Sequence, residues 1–202
     1  MKIAVISAQG DVEEHVEIVK KALQELGKEG KVFATMDKEE VAKADAIILP
    51  GGESTTISKL IHKNSVAEEI KKAASEGKPV MGTCAGAILL AKYGDEEVIK
   101  TKTKLLGLMD IWVKRNAFGR QKESFHATLN IEGIGEYEAI FIRAPAIVKA
   151  ESNVKVLAKI DEYIVAAQQD NVLALSFHPE LTEDTRIHKY FLEMIFSLEN
   201  QV

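Results

Sequence analysis

A chain of 202 residues is long enough for one well-cored domain and too short for two ordinary ones, so a single domain over 1–202 is expected. Its 46% hydrophobic and 28% charged residues exclude a disordered chain. A net charge of −5 with both signs interspersed gives no footprint for nucleic acid or an anionic membrane, and no uninterrupted apolar run approaches the roughly 18 residues of a membrane span.

The N-terminal MKIAVIS is too short an apolar run for a secretory leader and reads as a buried strand over 2–7. After the Gln9-Gly10 turn, Asp11 is placed to cap a helix in which Val12, Val16, Val19, Leu23 and Leu26 recur at four-and-three spacing up to Gly27. Strands are expected over 31–34 and 46–49, helices over 54–63 and 65–76, and a further buried strand over 79–81 that hands over to a helix opening at Ala85. Strands alternating with amphipathic helices imply right-handed crossovers, hence a parallel sheet covered on both faces.

The second half changes character. Residues 111–114, 124–131, 138–142, 154–158, 163–168 and 172–176 are strand-like with short turns between them, so antiparallel or mixed additions to the sheet are expected. A final helix begins after Thr182, with Glu183 and Asp184 at its positive end and Ile187, Tyr190, Phe191, Met194, Ile195 and Leu198 on one face. One cysteine cannot form an internal disulfide, and a cytoplasmic location is expected. With no C-x-x-C and no H-E-x-x-H, neither a metal nor another cofactor is expected.

That cysteine lies in Gly82-Thr83-Cys84-Ala85-Gly86, a G-x-C-x-G turn between an apolar strand and an apolar helix. It is the thiol counterpart of the G-x-S-x-G elbow, in which a sharp turn lifts the nucleophile above the sheet. Glycines relieve the crowding that such a turn brings. The same turn puts Cys84 at a helix N-terminus and offers the Ala85 N–H as half of an oxyanion hole. Taken alone, the motif leaves open a buried cysteine acting as a small hydrophobe.

Two further strand ends supply partners. Ile47-Ile48-Leu49-Pro50-Gly51-Gly52-Glu53-Ser54 runs from a strand into paired glycines, whose backbone can approach a ligand and complete the oxyanion hole at Gly52, with Ser54 able to cap the next helix. Phe177-His178-Pro179-Glu180 ends another strand. Pro179 disfavours helix at His178, so an extended segment is expected, with the His178 and Glu180 side chains on one side. A carboxylate can then hold one imidazole nitrogen while the other faces a nucleophile. His15, His62, His126 and His188 fit such a role less well; His62 and His188 are expected on exposed helical positions. Together these strand ends point to acyl transfer through a thioester, with Cys84 as nucleophile, His178 as base and acid, and Glu180 fixing the tautomer.

P-G-G-E-S, G-T-C-A-G and F-H-P-E, in that order and spacing, resemble the class I, triad-type glutamine amidotransferases. More narrowly the chain is similar from end to end to the glutaminase subunits of pyridoxal 5'-phosphate synthases, in AQGD with Glu14-His15, LPGGESTT over 49–56, RNAFGRQ over 115–121, FIRAP over 141–145 and SFHPELTED over 176–184. The resemblance implies a flavodoxin-like α/β sandwich of three layers and hydrolysis of L-glutamine to glutamate and ammonia. It also implies delivery of the ammonia to a separate barrel-shaped synthase subunit, in a hetero-oligomer. By the same resemblance, Cys84, His178 and Glu180 form the triad, and glutamine is contacted at Gly52, Glu53, Ser54, Arg115, Ile142 and Arg143. The loop from Gln9 to Asp11 falls at the synthase interface. Guanidinium groups suit an α-carboxylate because they recognise it bidentately.

Three other readings compete: a deglycase or small peptidase with cysteine on a similar elbow, a glutaminase serving a different synthase, and a non-catalytic binding module. The His-Pro-Glu segment argues against the first. The RNAFGRQ and FIRAP stretches argue against the second, and an intact triad argues against the third.

Overall fold

In a computed structural model, which describes residues 1–119 and 123–199, the first half alternates strand and helix. It comprises β1 (Lys2–Ile6), α1 (Val12–Glu25), β2 (Lys31–Thr35), α2 (Lys38–Ala42), β3 (Ala46–Leu49), α3 (Ser54–Lys63), α4 (Val66–Ser75), β4 (Val80–Thr83) and α5 (Ala85–Leu90). The second half is mostly strand. It continues with β5 (Ala91–Gly94), α6 (Glu96–Lys100), β6 (Met109–Lys114), β7 (Ser124–Ile131), β8 (Gly135–Ile142), β9 (Ala146–Ala150), β10 (Lys155–Ile160), β11 (Tyr163–Gln169) and β12 (Val172–Leu175). A 3-10 turn at Pro179–Leu181 then leads to α7 (Arg186–Glu199). Arg120 and Gln121 of the RNAFGRQ stretch, and the side chain of Leu198, lie outside the described residues.

β2, β1, β3, β4 and β12 lie side by side in that order and run parallel. Beyond β12 the sheet continues by antiparallel pairing through β11, β9 and β6, then ends on β5, parallel to β6. β10 pairs with β11 off this path, and β7 with β8 as a separate antiparallel pair. β3, β4 and β12 are buried at every residue, which is why they read as unbroken apolar runs rather than alternating ones. On one face Ala4, Ile47 and Val80 pack with Ile57, Ile61 and Ile70 of α3 and α4. On the other, Ile3, Val5 and Ile48 pack with Val19 of α1 and Ile187 and Phe191 of α7. Successive strand residues thus serve opposite layers, as the three-layer expectation requires.

Several elements depart from the sequence reading. The apolar helix opening at Ala85 is six residues long and passes straight into β5. Pairing with β6 and the stacking of Tyr93 on Trp112, centroids 4.3 Å apart, override the local helical pattern. α6 and β9 are additional; Asp95 caps α6 by accepting from the Val98 N–H at 3.1 Å. α7 starts at Arg186, where Asp184 accepts from the backbone N–H at 3.0 Å, so the acidic pair precedes the first turn. The buried stripe of α1 is His15, Ile18, Val19, Ala22 and Leu23; Val12, Val16 and Leu26 are only partly covered.

The cysteine elbow depends on close backbone packing. A Cβ at Gly86 would lie 1.9 Å from the Leu49 carbonyl oxygen, and one at Gly82 would lie 2.6 Å from the backbone of Gly86. Only glycine fits between β3, β4 and α5 at this separation.

Candidate active site

Because β1, β3, β4 and β12 are parallel, their carboxyl ends open on one rim, where ligands of such sheets gather. The rim collects the Gln9–Asp11 loop, the Gly51–Glu53 turn, Cys84 and His178–Glu180. Cys84 has φ 51 and ψ −111, a conformation disfavoured for a residue with a Cβ and characteristic of functional turns. Its N–H donates to the Leu175 carbonyl at 2.8 Å, tying the elbow to β12. The residue is 7% exposed, and Sγ donates to the Ile142 carbonyl at 3.7 Å.

His178 follows β12, with its backbone N–H held by the Ile140 carbonyl at 2.8 Å. Its Nδ1–H donates to Oε1 of buried Glu180 at 2.7 Å, a tautomer assigned from the carboxylate partner. The pairing agrees with expectation, but its backbone does not: Glu180 lies in a 3-10 turn rather than an extended segment. Pro179, in the first position of that turn, sets it up with its fixed φ and missing donor. Gly51 is the common neighbour, since a Cβ there would be 3.0 Å from His178 Cε1 and 3.3 Å from Cys84 Cβ. Nε2 of His178 is buried without a hydrogen-bond partner among the described residues, and thiol and imidazole are neighbours across Gly51. Burial lowers the His178 pKa, but interaction with Cys84 and with Glu180 outweighs it and brings it up to about 10.

Asp11 precedes α1 but makes no side-chain cap. Its carboxylate instead lies 3.5 Å from His178 Nδ1. Ligand atoms of Asp11, His178 and Glu180 lie within 4.8 Å of one another, a spacing a cation could use; the 2.7 Å contact marks a carboxylate–imidazole hydrogen bond within it.

Of the remaining histidines, His126 is exposed and His62 half-buried, its ring engaged with the Ser58 carbonyl at 2.7 Å. His188, expected on an exposed position, is fully buried, as is His15. His15 lies directly behind the triad candidates, 3.4 Å from Glu180 Oε2. Burial holds the pKa of both rings down, that of His188 to about 3, so both are neutral.

Beside Cys84 a cavity of about 410 Å³ is lined by Gly52, Glu53, Ser54, Ala85, Arg115 and Arg143, within the roughly 300–1,000 Å³ range of small-molecule sites. Glu53, not Ser54, caps α3, accepting from the N–H groups of Thr55 at 3.0 Å and Thr56 at 2.8 Å. Burial raises its pKa, but the hydrogen bonds from Thr56 and Thr55 and the charge of Arg115 bring it down to about 2, so it is a carboxylate. Ser54 is the first residue of α3, and its hydroxyl is buried without a partner among the described residues. Arg115 is already engaged, with Glu53 at 2.8 Å and weakly with Thr55 and Thr101 at 3.4 Å. Arg143 is the freer cation, exposed and 3.7 Å from Glu123. Ile142 presents its carbonyl to Cys84 but does not line the cavity.

The SNO glutamine amidotransferase family model matches residues 5–197. The chain belongs to this family. It is 61% identical over 194 residues to the pyridoxal 5'-phosphate synthase subunit PdxT of Archaeoglobus fulgidus, covering 96% of this chain and 98% of the relative. It is 57% identical over 201 residues to the PdxT of Methanocella arvoryzae, covering 99% and 100%. A solved structure described as a glutamine amidotransferase superposes with a TM-score of 0.85 at 45% identity, over 96% of this chain and 98% of the other. PurLQS from Thermotoga maritima, at 19% identity and a TM-score of 0.63, shares the fold.

In this SNO-family chain, sequence reasoning missed Ile88, Asn116 and Pro145, which complete the cavity wall, and the place of Gln9 within it. Gln9 Oε1 accepts from the Glu53 N–H at 2.6 Å. Gln9, Asn116 and Pro145 fall within the AQGD, RNAFGRQ and FIRAP stretches, but their place in the cavity wall follows only from the tertiary fold.

Proposed function

We propose that this chain is the glutamine-hydrolysing subunit of a pyridoxal 5'-phosphate synthase, acting in the cytoplasm through Cys84, His178 and Glu180 and passing ammonia to a separate synthase subunit. The observation that carries the reading is the 2.7 Å Glu180–His178 pair beside a strained Cys84 that lines a cavity. Family membership and relatives named as synthase subunits support the substrate and the partner.

In this reading glutamine lies in the cavity with its side-chain amide over Cys84. His178 takes the thiol proton, and the sulfur attacks the amide carbon. The oxyanion is received by the N–H groups of Ala85, the first residue of α5, and of Gly52. Collapse breaks the C–N bond, His178 returns the proton to the departing ammonia, and a glutamyl thioester remains. Water, deprotonated by His178, then releases glutamate and restores the thiol. Glu180 stabilises the imidazolium at each stage. Glu53 suits the substrate α-ammonium and Arg143 its α-carboxylate, with Ser54 offering an unused hydroxyl.

The Gln9–Asp11 loop touches this machinery directly: Gln9 holds the Glu53 N–H, and the Gly10 backbone packs against the Gly51 carbonyl. Docking of the synthase on this loop would set the Gly52 peptide for the oxyanion. Ammonia release is therefore expected to rise on addition of the synthase subunit, and glutamine to support pyridoxal 5'-phosphate formation by the pair. Equal release rates with and without the synthase would refute activation by docking, and cofactor formation indifferent to glutamine would refute the function.

A further inference from the structure

Behind Glu180 the chain buries polar side chains that the hydrolytic steps do not use. His15 on α1, Thr83 at the end of β4 and His188 on α7 are each 0% exposed. His15 Nε2 lies 3.1 Å from Thr83 Oγ1 and 3.4 Å from Glu180 Oε2, and His15 Nδ1 lies 3.3 Å from His188 Nε2. Oε2 has no hydrogen bond of its own among the described residues, and neither has Nδ1 of His188. Buried polar groups in such numbers are costly unless they are paired in a specific way.

One proton arrangement satisfies them best. With hydrogen on His15 Nε2, that N–H donates to the Thr83 hydroxyl at 3.1 Å, with the otherwise unserved oxygen of Glu180 3.4 Å away; the opposite tautomer turns a lone pair toward that oxygen. His15 Nδ1 is then an acceptor, so His188 must donate from Nε2, which leaves a bare lone pair at the unpartnered His188 Nδ1. Reversing both rings would bury an N–H with no acceptor, the rarer and more costly defect. Two independent sites thus select the same arrangement.

We infer that His15 is a positioning residue for the hydrolysis, donating its Nε2–H to Thr83 while its ring packs against Glu180 Oε2, and locked in that tautomer by His188. The inference rests on the triad reading above. Glu180 is then held by the His178 hydrogen bond at Oε1, with the His15 ring 3.4 Å from Oε2, and the line of side chains runs from α7 through α1 to the rim. Both rings are neutral, His15 through burial and the neighbouring His188 and His178, so they orient the carboxylate without neutralising it. A loosened carboxylate tilts the His178 ring away from Cys84, and displacement of about 1 Å at a reacting group costs on the order of 100-fold in rate.

The test combines kinetics with nitrogen NMR of the histidine rings, using the full chain with its synthase subunit for activity. His15→Leu is expected to lower kcat for ammonia release by roughly 10- to 100-fold with the KM for glutamine within about twofold, since His15 does not line the cavity. His15→Gln, whose amide N–H can take the place of Nε2–H, should recover most of the loss. In the unmodified chain, NMR should show both His15 and His188 protonated at Nε2. Equal activity of the Leu and Gln variants, or a His15 proton on Nδ1, overturns the inference. Cys84→Ala run in parallel separates the two levels: if that variant still turns over, the triad reading itself has failed.

Discussion

Replacing Cys84 with alanine is expected to reduce ammonia release from glutamine by at least about 10⁴-fold, the scale on which removing a triad nucleophile acts. The chain has no other cysteine, and Ser54, the nearby buried hydroxyl, has no base hydrogen-bonded to it among the described residues. Alanine retains the Cβ and so the same backbone strain at φ 51, which makes the substitution a chemical deletion rather than a structural one. Glutamine binding, measured by calorimetry in the synthase complex, should change little because the cavity wall at Gly52, Glu53, Ser54 and Arg143 is untouched. Loss of binding together with turnover would instead mean that the thiol holds substrate.

His178→Ala is the second large effect, a loss of about 10³- to 10⁴-fold. General acid–base catalysis contributes roughly 10²- to 10⁴-fold, and the same ring also activates the nucleophile. It must accept the sulfur's proton, deliver one to ammonia and later deprotonate water. The raised pKa of His178, set against burial by Cys84 and Glu180, suits it to hold the first proton. Because sulfur and ring act as a unit, the double variant Cys84→Ala/His178→Ala should be no slower than Cys84→Ala alone. Multiplicative losses in the double variant would show that the two side chains act in separate steps.

How far the site was legible depended on whether its chemistry coincided with a strand end. Cys84, the Gly51-Gly52 turn and His178 each follow an apolar run that becomes a parallel strand, so topology alone brings them to one rim. The His178–Glu180 pairing was read correctly from a wrong backbone: two-residue spacing on an extended segment was expected, whereas Pro179 starts a 3-10 turn that serves the same contact. Ser54 looks like a cap by residue type, yet Glu53 reaches both N–H groups with its two carboxylate oxygens and frees the hydroxyl. The stripe of α1 was misjudged because a histidine occupies a buried position. His15 interrupts the apolar period, and its partners Thr83, Glu180 and His188 come from elements 68 to 173 residues away in sequence. The antiparallel half of the sheet was legible in kind, but β5 and β9 are too short and too dependent on Trp112 and β11 for a local pattern to reveal them.

The most direct test is acid quenching of the synthase complex during glutamine turnover, followed by mass analysis of the peptide that carries Cys84. A glutamyl group should be found on that sulfur in part of the chains, labile to hydroxylamine as a thioester is, and absent from the Cys84→Ala chain. Turnover at full rate with the Cys84 peptide unmodified at every quench time, and a glutamyl group carried on another residue, would contradict a nucleophilic role for this thiol.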